Sequence, residues 1–188
     1  MWIGRVVLAF GLMGLASGCT TQPWQQVNLT APAYDDEMRV SNVAPTNAIR
    51  TTNFEAPTPN AIDGATTITT PQLRAMMVSP SPPILIDVLG GQPTSSLPGA
   101  RWIPEAGRGA NLNDSTQKRM EARLAALTGG DKAKPIVFFC LSRTCWLSHN
   151  AAVRAVALGY SKVLWYRGGR NAWTAAGLPL EPVRHSTL

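Results

Sequence analysis

The chemistry of this chain starts from two cysteines separated by four residues, Cys140 and Cys145. They lie in the stretch Lys134-Pro-Ile-Val-Phe-Phe-Cys140-Leu-Ser-Arg-Thr-Cys145-Trp146, which continues into an alanine-rich run up to Gly159. Ile136 to Phe139 is a short apolar run of β-branched and aromatic residues, which predicts a strand covered on both faces. Trp146 to Leu158 predicts a helix, with Gly159 suited to a left-handed cap. Cys140 therefore stands where a strand ends and Cys145 where a helix begins. Unpaired N–H groups at a helix start favour anions, so a cysteine in that loop has a lowered pKa, and the thiolate is the nucleophilic form. Cys140 is assigned as the nucleophile and Cys145 as its partner. Two such thiols form a disulfide only if their Cα atoms come within about 7 Å. An inert buried thiol, a structural disulfide and a reactive pair all fit the sequence at this point. A soft metal site from Cys140, Cys145 and His149 is a weaker alternative, because no fourth ligand is evident and an exposed helix residue is the commoner fate of His149.

The N-terminus gives the address. Met1 to Gly18 has one basic residue, Arg5, an apolar run from Val6 to Leu15 and then small residues, the pattern of a secretory signal peptide. Its end, Leu15-Ala-Ser-Gly-Cys19, resembles a bacterial lipobox, in which the cysteine is lipidated and becomes the first mature residue. Thr20, in place of aspartate, points to the outer membrane over the inner. The expectation is a periplasmic protein, lipid-anchored at Cys19 in the inner leaflet of the outer membrane and touching the membrane through that lipid only. An ordinary cleaved signal with Cys19 incidental is the alternative. With Cys19 consumed, three cysteines reduce to the Cys140 and Cys145 pair.

The chain of 188 residues, 45% apolar, is long enough for one domain with its own core. Its net charge of +6 comes from scattered residues with no basic run interleaved with aromatics, so nucleic acid is not an expected partner. Residues 19–63 are rich in Thr, Pro, Asn and Ala and read as an extended tether, which Trp24, Val27, Leu29, Tyr34 and Phe54 could pin in places. The acidic cluster Asp35-Asp36-Glu37 reads as a solvated patch. The domain is expected over residues 64–182, with 183–188 as a tail. Within it, Thr66 to Thr69, Ile84 to Leu89, Arg101 to Ile103 and Lys162 to Tyr166 read as further strands. Pro71 to Val78, Asp114 to Leu127 and Asn171 to Ala176 read as helices, and glycine-rich Glu105 to Asn113 as an exposed loop. Asp87 ends a strand, where it either bonds nearby backbone or positions the active loop. Strands alternating with helices over short connections argue a single α/β domain with a mostly parallel five-stranded sheet and helices on both faces.

A family resemblance rests on Ile86-Asp87-Val88, Leu97-Pro98-Gly99-Ala100, a cysteine ending the central strand, Gly159-Tyr160-Ser-Lys-Val163, and Gly168-Gly169-Arg-Asn-Ala-Trp173-Thr-Ala-Ala-Gly177-Leu-Pro179. From about Thr66 to Pro182 the chain resembles a rhodanese domain. More narrowly, Phe54-Glu-Ala-Pro-Thr-Pro59 with Cys145-Trp146, Asn150-Ala-Ala152 and Trp165-Tyr166 is similar to exported rhodanese-like proteins named for a CxxCW motif and associated with catabolism dependent on pyrroloquinoline quinone (PQQ). Here four residues, not two, separate the cysteines. The resemblance implies that Cys140 carries sulfane sulfur as a persulfide, in a loop where Leu141, Ser142, Arg143 and Thr144 line the cradle and Trp146 borders the substrate. The family loop usually ends in arginine; this one ends in Cys145, and Arg143 either supplies that cation or points to solvent. Two functions follow. One is sulfur transfer through the persulfide or dithiol–disulfide exchange, with a small sulfur-containing anion or a protein thiol as partner. The other is a non-catalytic module, its cysteines in a structural disulfide, docking a periplasmic oxidation partner by the groove beside Trp146 and Trp165. No cofactor is called for by either.

Overall fold

The computed structural model describes residues 35–185. Cys19, the leader and the proposed pins Trp24, Val27, Leu29 and Tyr34 lie outside the described residues. A single helical turn, α1 (Asp35–Met38), begins an otherwise extended arm. The domain follows as β1 (Ala65–Thr67), α2 (Thr70–Met77), β2 (Ile84–Asp87), β3 (Ser95–Ser96), β4 (Arg101–Trp102), a 3-10 turn at Pro104–Gly107, α3 (Ser115–Thr128), β5 (Ile136–Phe139), α4 (Trp146–Ala157), β6 (Val163–Tyr166), α5 (Gly169–Ala175), β7 (Glu181–Pro182) and β8 (Arg184–His185). Among the described residues no helix is long and apolar enough to cross a membrane.

The main sheet has the order β1-β6-β5-β2-β4-β8, with every neighbouring pair parallel. It is the expected α/β architecture with one strand more than the five read from sequence. The sixth is β8, drawn from the expected tail, where Arg184 pairs with Arg101 and the His185 ring meets Trp102 edge-on at 5.0 Å. Strand β5 lies inside the sheet, its four residues all buried. Their side chains alternate, as a period of two requires. Ile136 and Phe138 join the core under α3 and α4, whereas Val137 and Phe139 join Leu73 of α2 and Trp173 of α5 on the opposite face. Cys140 continues the first series, so its sulfur is delivered to the α4 side. Burying each such aromatic contributes about 1.5–3 kcal/mol.

Helix α3 begins one residue later than expected because Asp114 is its cap, its carboxylate accepting from the Gln117 N–H at 2.8 Å. The glycine-rich segment before it is mostly exposed, as expected, except near its start. Ala106 and Gly107 are buried, and a Cβ on Gly107 would run into the Leu147 backbone of α4. The Arg108 and Asn111 carbonyls accept from the Arg154 guanidinium at 2.7 and 3.0 Å. A segment so occupied with a cation presents carbonyls inward, the reverse of a phosphate cradle.

The arm runs extended along the domain and is fastened by backbone groups. Trp146 N–H donates to the Phe54 carbonyl at 2.8 Å, and Glu55 makes an isolated antiparallel bridge with Cys145. Asn150 of α4 bonds both backbone groups of Arg50, accepting from its N–H at 3.0 Å and donating to its carbonyl at 2.8 Å.

Candidate functional site

The loop between β5 and α4 is closed by a disulfide between Cys140 and Cys145, whose Cα atoms are 6.1 Å apart. A structural bridge and the oxidised form of a reactive pair share this bond, whereas an inert lone thiol does not. Its first half is held from behind: the Arg170 and Asn171 N–H groups at the start of α5 donate to the Cys140 and Leu141 carbonyls at 3.0 and 2.9 Å. The residue before them, Gly169, has φ +62, and a Cβ there would lie 2.5 Å from the Cys140 carbonyl oxygen. No side chain fits that approach. The second half turns on itself, with Cys145 N–H donating to the Ser142 carbonyl at 3.0 Å and Thr144 N–H to the Ser142 hydroxyl at 3.3 Å. Among the described residues, the N–H groups of Leu141, Ser142 and Arg143 have no protein acceptor.

The two sulfur-bearing residues face different surroundings. Cys140 is 1% exposed and packed in the core, while Cys145 is 7% exposed and forms part of a cavity wall. That cavity, of about 460 Å³, is also lined by Phe54 and Glu55 of the arm, Leu89 and Gly90 after β2, Arg108, Ser142 and Thr144. Its size suits a small ligand. Arg108 leans over the Phe54 ring at 5.7 Å.

Other residues named from the sequence are distributed around this loop. Arg143 points away from the sulfurs: its Nε donates to Asp36 of the arm at 3.0 Å. Asp36 is paired but still exposed, as a solvated patch requires, whereas Glu37 beside it is buried and departs from that expectation. The Glu37 carboxylate accepts from the Thr70 N–H and hydroxyl, at 3.0 and 2.8 Å, and burial raises its pKa above the ordinary glutamate value. Trp146 is buried under the arm, its indole N–H donating to the Pro57 carbonyl at 3.1 Å and Arg50 lying 4.6 Å above its ring. The groove beside Trp146 is thus filled by the chain's own arm.

Asp87 bonds nearby backbone, the first of the two roles weighed for it, and stands beside Arg170. One carboxylate oxygen accepts from the Leu89 N–H at 2.9 Å; the other takes the Ser96 hydroxyl and faces Arg170 Nε at 3.9 Å. Burial pushes its pKa up against those donors. Through Arg170, whose N–H holds the Cys140 carbonyl, this carboxylate braces the loop from the β2 side. His149, expected on an exposed face, is fully buried between the Trp146 and Trp165 rings, at 4.7 and 5.6 Å. Neither ring nitrogen makes a hydrogen bond among the described residues, and burial lowers its pKa to about 4. It is a core residue, neutral at pH 7 and packed between two aromatic rings.

Two residues were not singled out from sequence. Buried Arg167 donates to the Thr58 hydroxyl at 3.1 Å and to the Arg39 carbonyl at 2.9 Å, and the Thr58 hydroxyl donates in turn to the Arg143 carbonyl at 2.6 Å. Arm and loop are one network through it. Burial, and then the charge of Arg143, lowers its pKa. Arg170 was quoted only as part of a turn signature. The one available signal was a pair of arginines flanking Gly168-Gly169 immediately after a buried strand, a place where lone cations rarely lack a job.

Comparison with known proteins places this geometry. The family model described as "Rhodanese-like domain" matches residues 69–176. No curated protein matches the chain. Among solved structures, thiosulfate sulfurtransferase from Pseudomonas aeruginosa is 20% identical, over 66% of this chain and 22% of that one, with a TM-score of 0.47. EanB in complex with hercynine is 17% identical, over 63% of this chain and 32% of that one, also at 0.47. The Alr3790 protein from Anabaena sp. is 19% identical, over 62% of this chain and 92% of that one, at 0.46. The first two are longer proteins, of which this chain spans about a third or less.

Proposed function

The chain belongs to the rhodanese-like domain family, and from that premise we propose that it is an exported thiol protein whose working groups are Cys140 and Cys145. Cys140 accepts sulfane sulfur as a persulfide; the Cys145 thiolate then attacks the inner sulfur, the bond between the two sulfurs of the persulfide breaks, and hydrosulfide leaves as the disulfide closes. The observation that carries this is the Cys140–Cys145 bond itself, which puts a resolving sulfur in contact with the family's sulfur-carrying position. A lasting persulfide is not expected beside such a partner.

In this reading the sulfur partner is a small sulfur-containing anion or a protein thiol. The lipobox pattern supports a lipid on Cys19 and a place in the periplasm on the inner leaflet of the outer membrane. The Cys145-Trp146 pair and Asn150-Ala-Ala152 support kinship with the exported CxxCW proteins and a partner in PQQ-dependent oxidation. A docking-only module with a locked disulfide is the second reading; the arm lying over Trp146 counts against it, because the groove it would use is occupied.

The test uses thiosulfate and reduced protein, followed by intact mass. One thiosulfate takes the two thiols to a disulfide, giving one sulfite and one hydrosulfide, so the protein ends two hydrogens lighter. Cys145→Ser retains one added sulfur on Cys140. A wild-type protein that keeps the sulfur, or that does not react at all, overturns the proposal.

A further inference from the structure

We infer that the cavity walled by Arg108, Glu55 and Phe54 is the entry site for a small thiol, and that the entering thiolate attacks Cys145, not Cys140. The inference rests on the exchange reading above and adds its direction.

Access decides first. Displacement at a disulfide is in line, so the attacking sulfur must reach the attacked one from the side opposite the leaving sulfur. Both cysteines belong to the core under α4, at 1% and 7% exposure, but only Cys145 contributes to the cavity wall. The cavity holds one cation, Arg108, and one carboxylate, Glu55, among its described lining residues. Arg108 favours the thiolate form of what enters.

The leaving group agrees. Cys140 sits at the base of a loop with three N–H groups lacking protein acceptors, at Leu141, Ser142 and Arg143. In this proposal the thiolate that develops on Cys140 takes up those donors, and a stabilised thiolate leaves faster. Cys145 caps α4, but the first helical donor, Trp146 N–H, is already taken by the Phe54 carbonyl. The step balances as follows: the thiolate forms a bond to Cys145 Sγ, the Cys140–Cys145 bond breaks, and its electron pair leaves on Cys140 Sγ. A second thiolate attacks the entered sulfur of the mixed disulfide, releasing the Cys145 thiolate and a small-molecule disulfide.

Trypsin separates the two positions, since Arg143 lies between them; cleavage gives peptides 133–143 and 144–154. Oxidised protein is mixed with 2-mercaptoethanol, quenched early with N-ethylmaleimide and mapped by mass spectrometry. The expected result is 2-mercaptoethanol on peptide 144–154 and maleimide on peptide 133–143, at least tenfold over the reverse. The reverse pattern, or an even split, overturns the direction and leaves exchange standing; no adduct on either peptide overturns exchange itself.

Discussion

Arg154 and Arg167 are both buried guanidiniums that gather main-chain oxygens around themselves, yet only Arg154 is given a carboxylate. Arg154 binds Asp114 at 2.9 Å, Gln117 Oε1 at 3.0 Å and the Arg108 and Asn111 carbonyls, stitching α4 to α3 and to the segment before it. Arg167 meets only neutral oxygens, from Thr58, Arg39 and Glu37, and these belong to the arm. The nearby carboxylates are engaged elsewhere, Asp36 by Arg143 and Glu37 by Thr70. The contrast separates two kinds of fastening. A carboxylate pairs with the buried Arg154 and locks the body of the domain, whereas the arm is held beside the disulfide by the exposed Asp36–Arg143 pair and by hydrogen bonds to a buried guanidinium without a carboxylate of its own, a weaker and more reversible attachment.

The largest break in that comparison is Arg154→Met. It takes the cation from the Asp114 carboxylate, which keeps the Ala110, Asn111 and Gln117 N–H donors, and strands at least two carbonyls, a loss of about 3 kcal/mol read as a lower urea midpoint for the whole domain. A loss within experimental scatter would mean that the lock is not electrostatic. Arg167→Met should cost less, about 1–3 kcal/mol, and locally. The readout is proteolysis within 37–58, expected to speed up roughly tenfold to a hundredfold while the urea midpoint of the domain shifts little. An arm no easier to cut would show that its backbone bonds suffice.

Acid should move the two fastenings in opposite directions, a smaller effect that sharpens the contrast. Burial works against the Asp114 carboxylate, but the Arg154 guanidinium and the N–H groups of Gln117, Asn111 and Ala110 hold its pKa far below the ordinary 3.8. Its contribution is complete above that ordinary value and is lost as pH falls through the lower folded one. The Glu37 pKa is raised above 4.5, so its contribution is complete below 4.5 and is lost as pH rises through the folded value. Lowering the pH from 7 toward 4.5 should slow hydrogen exchange in the arm without weakening the body; below about 3.8 the body should begin to loosen. Parallel pH profiles for arm and body would remove the distinction.

The legible and illegible parts of the sequence divide along the same line. The position of Cys140 at a strand end could be read because Ile136 to Phe139 is a short β-branched and aromatic run, the composition of a strand covered on both faces. Helix α3 was found within a residue because Asp114 and Gln117 at that spacing satisfy specific donors. Arg154 and Glu37 were not found: a charged residue in a polar-tolerant position has the same signature whether it faces water or a partner distant in sequence. The arm looked like a tether because its bonds are made by the main chain of Phe54, Glu55 and Arg50, and main chain has no letter in the sequence. Strand β8 is two residues long, too short for any periodicity to register.

Gly169 carries a consequence for how this chain can change over time. The Cys140 carbonyl sits where that residue's side chain would begin, so any other amino acid there displaces the root of the sulfur loop directly, with no intervening group to absorb the shift. What lineages descended from this sequence must inherit to keep the loop is, at that position, the lack of an atom.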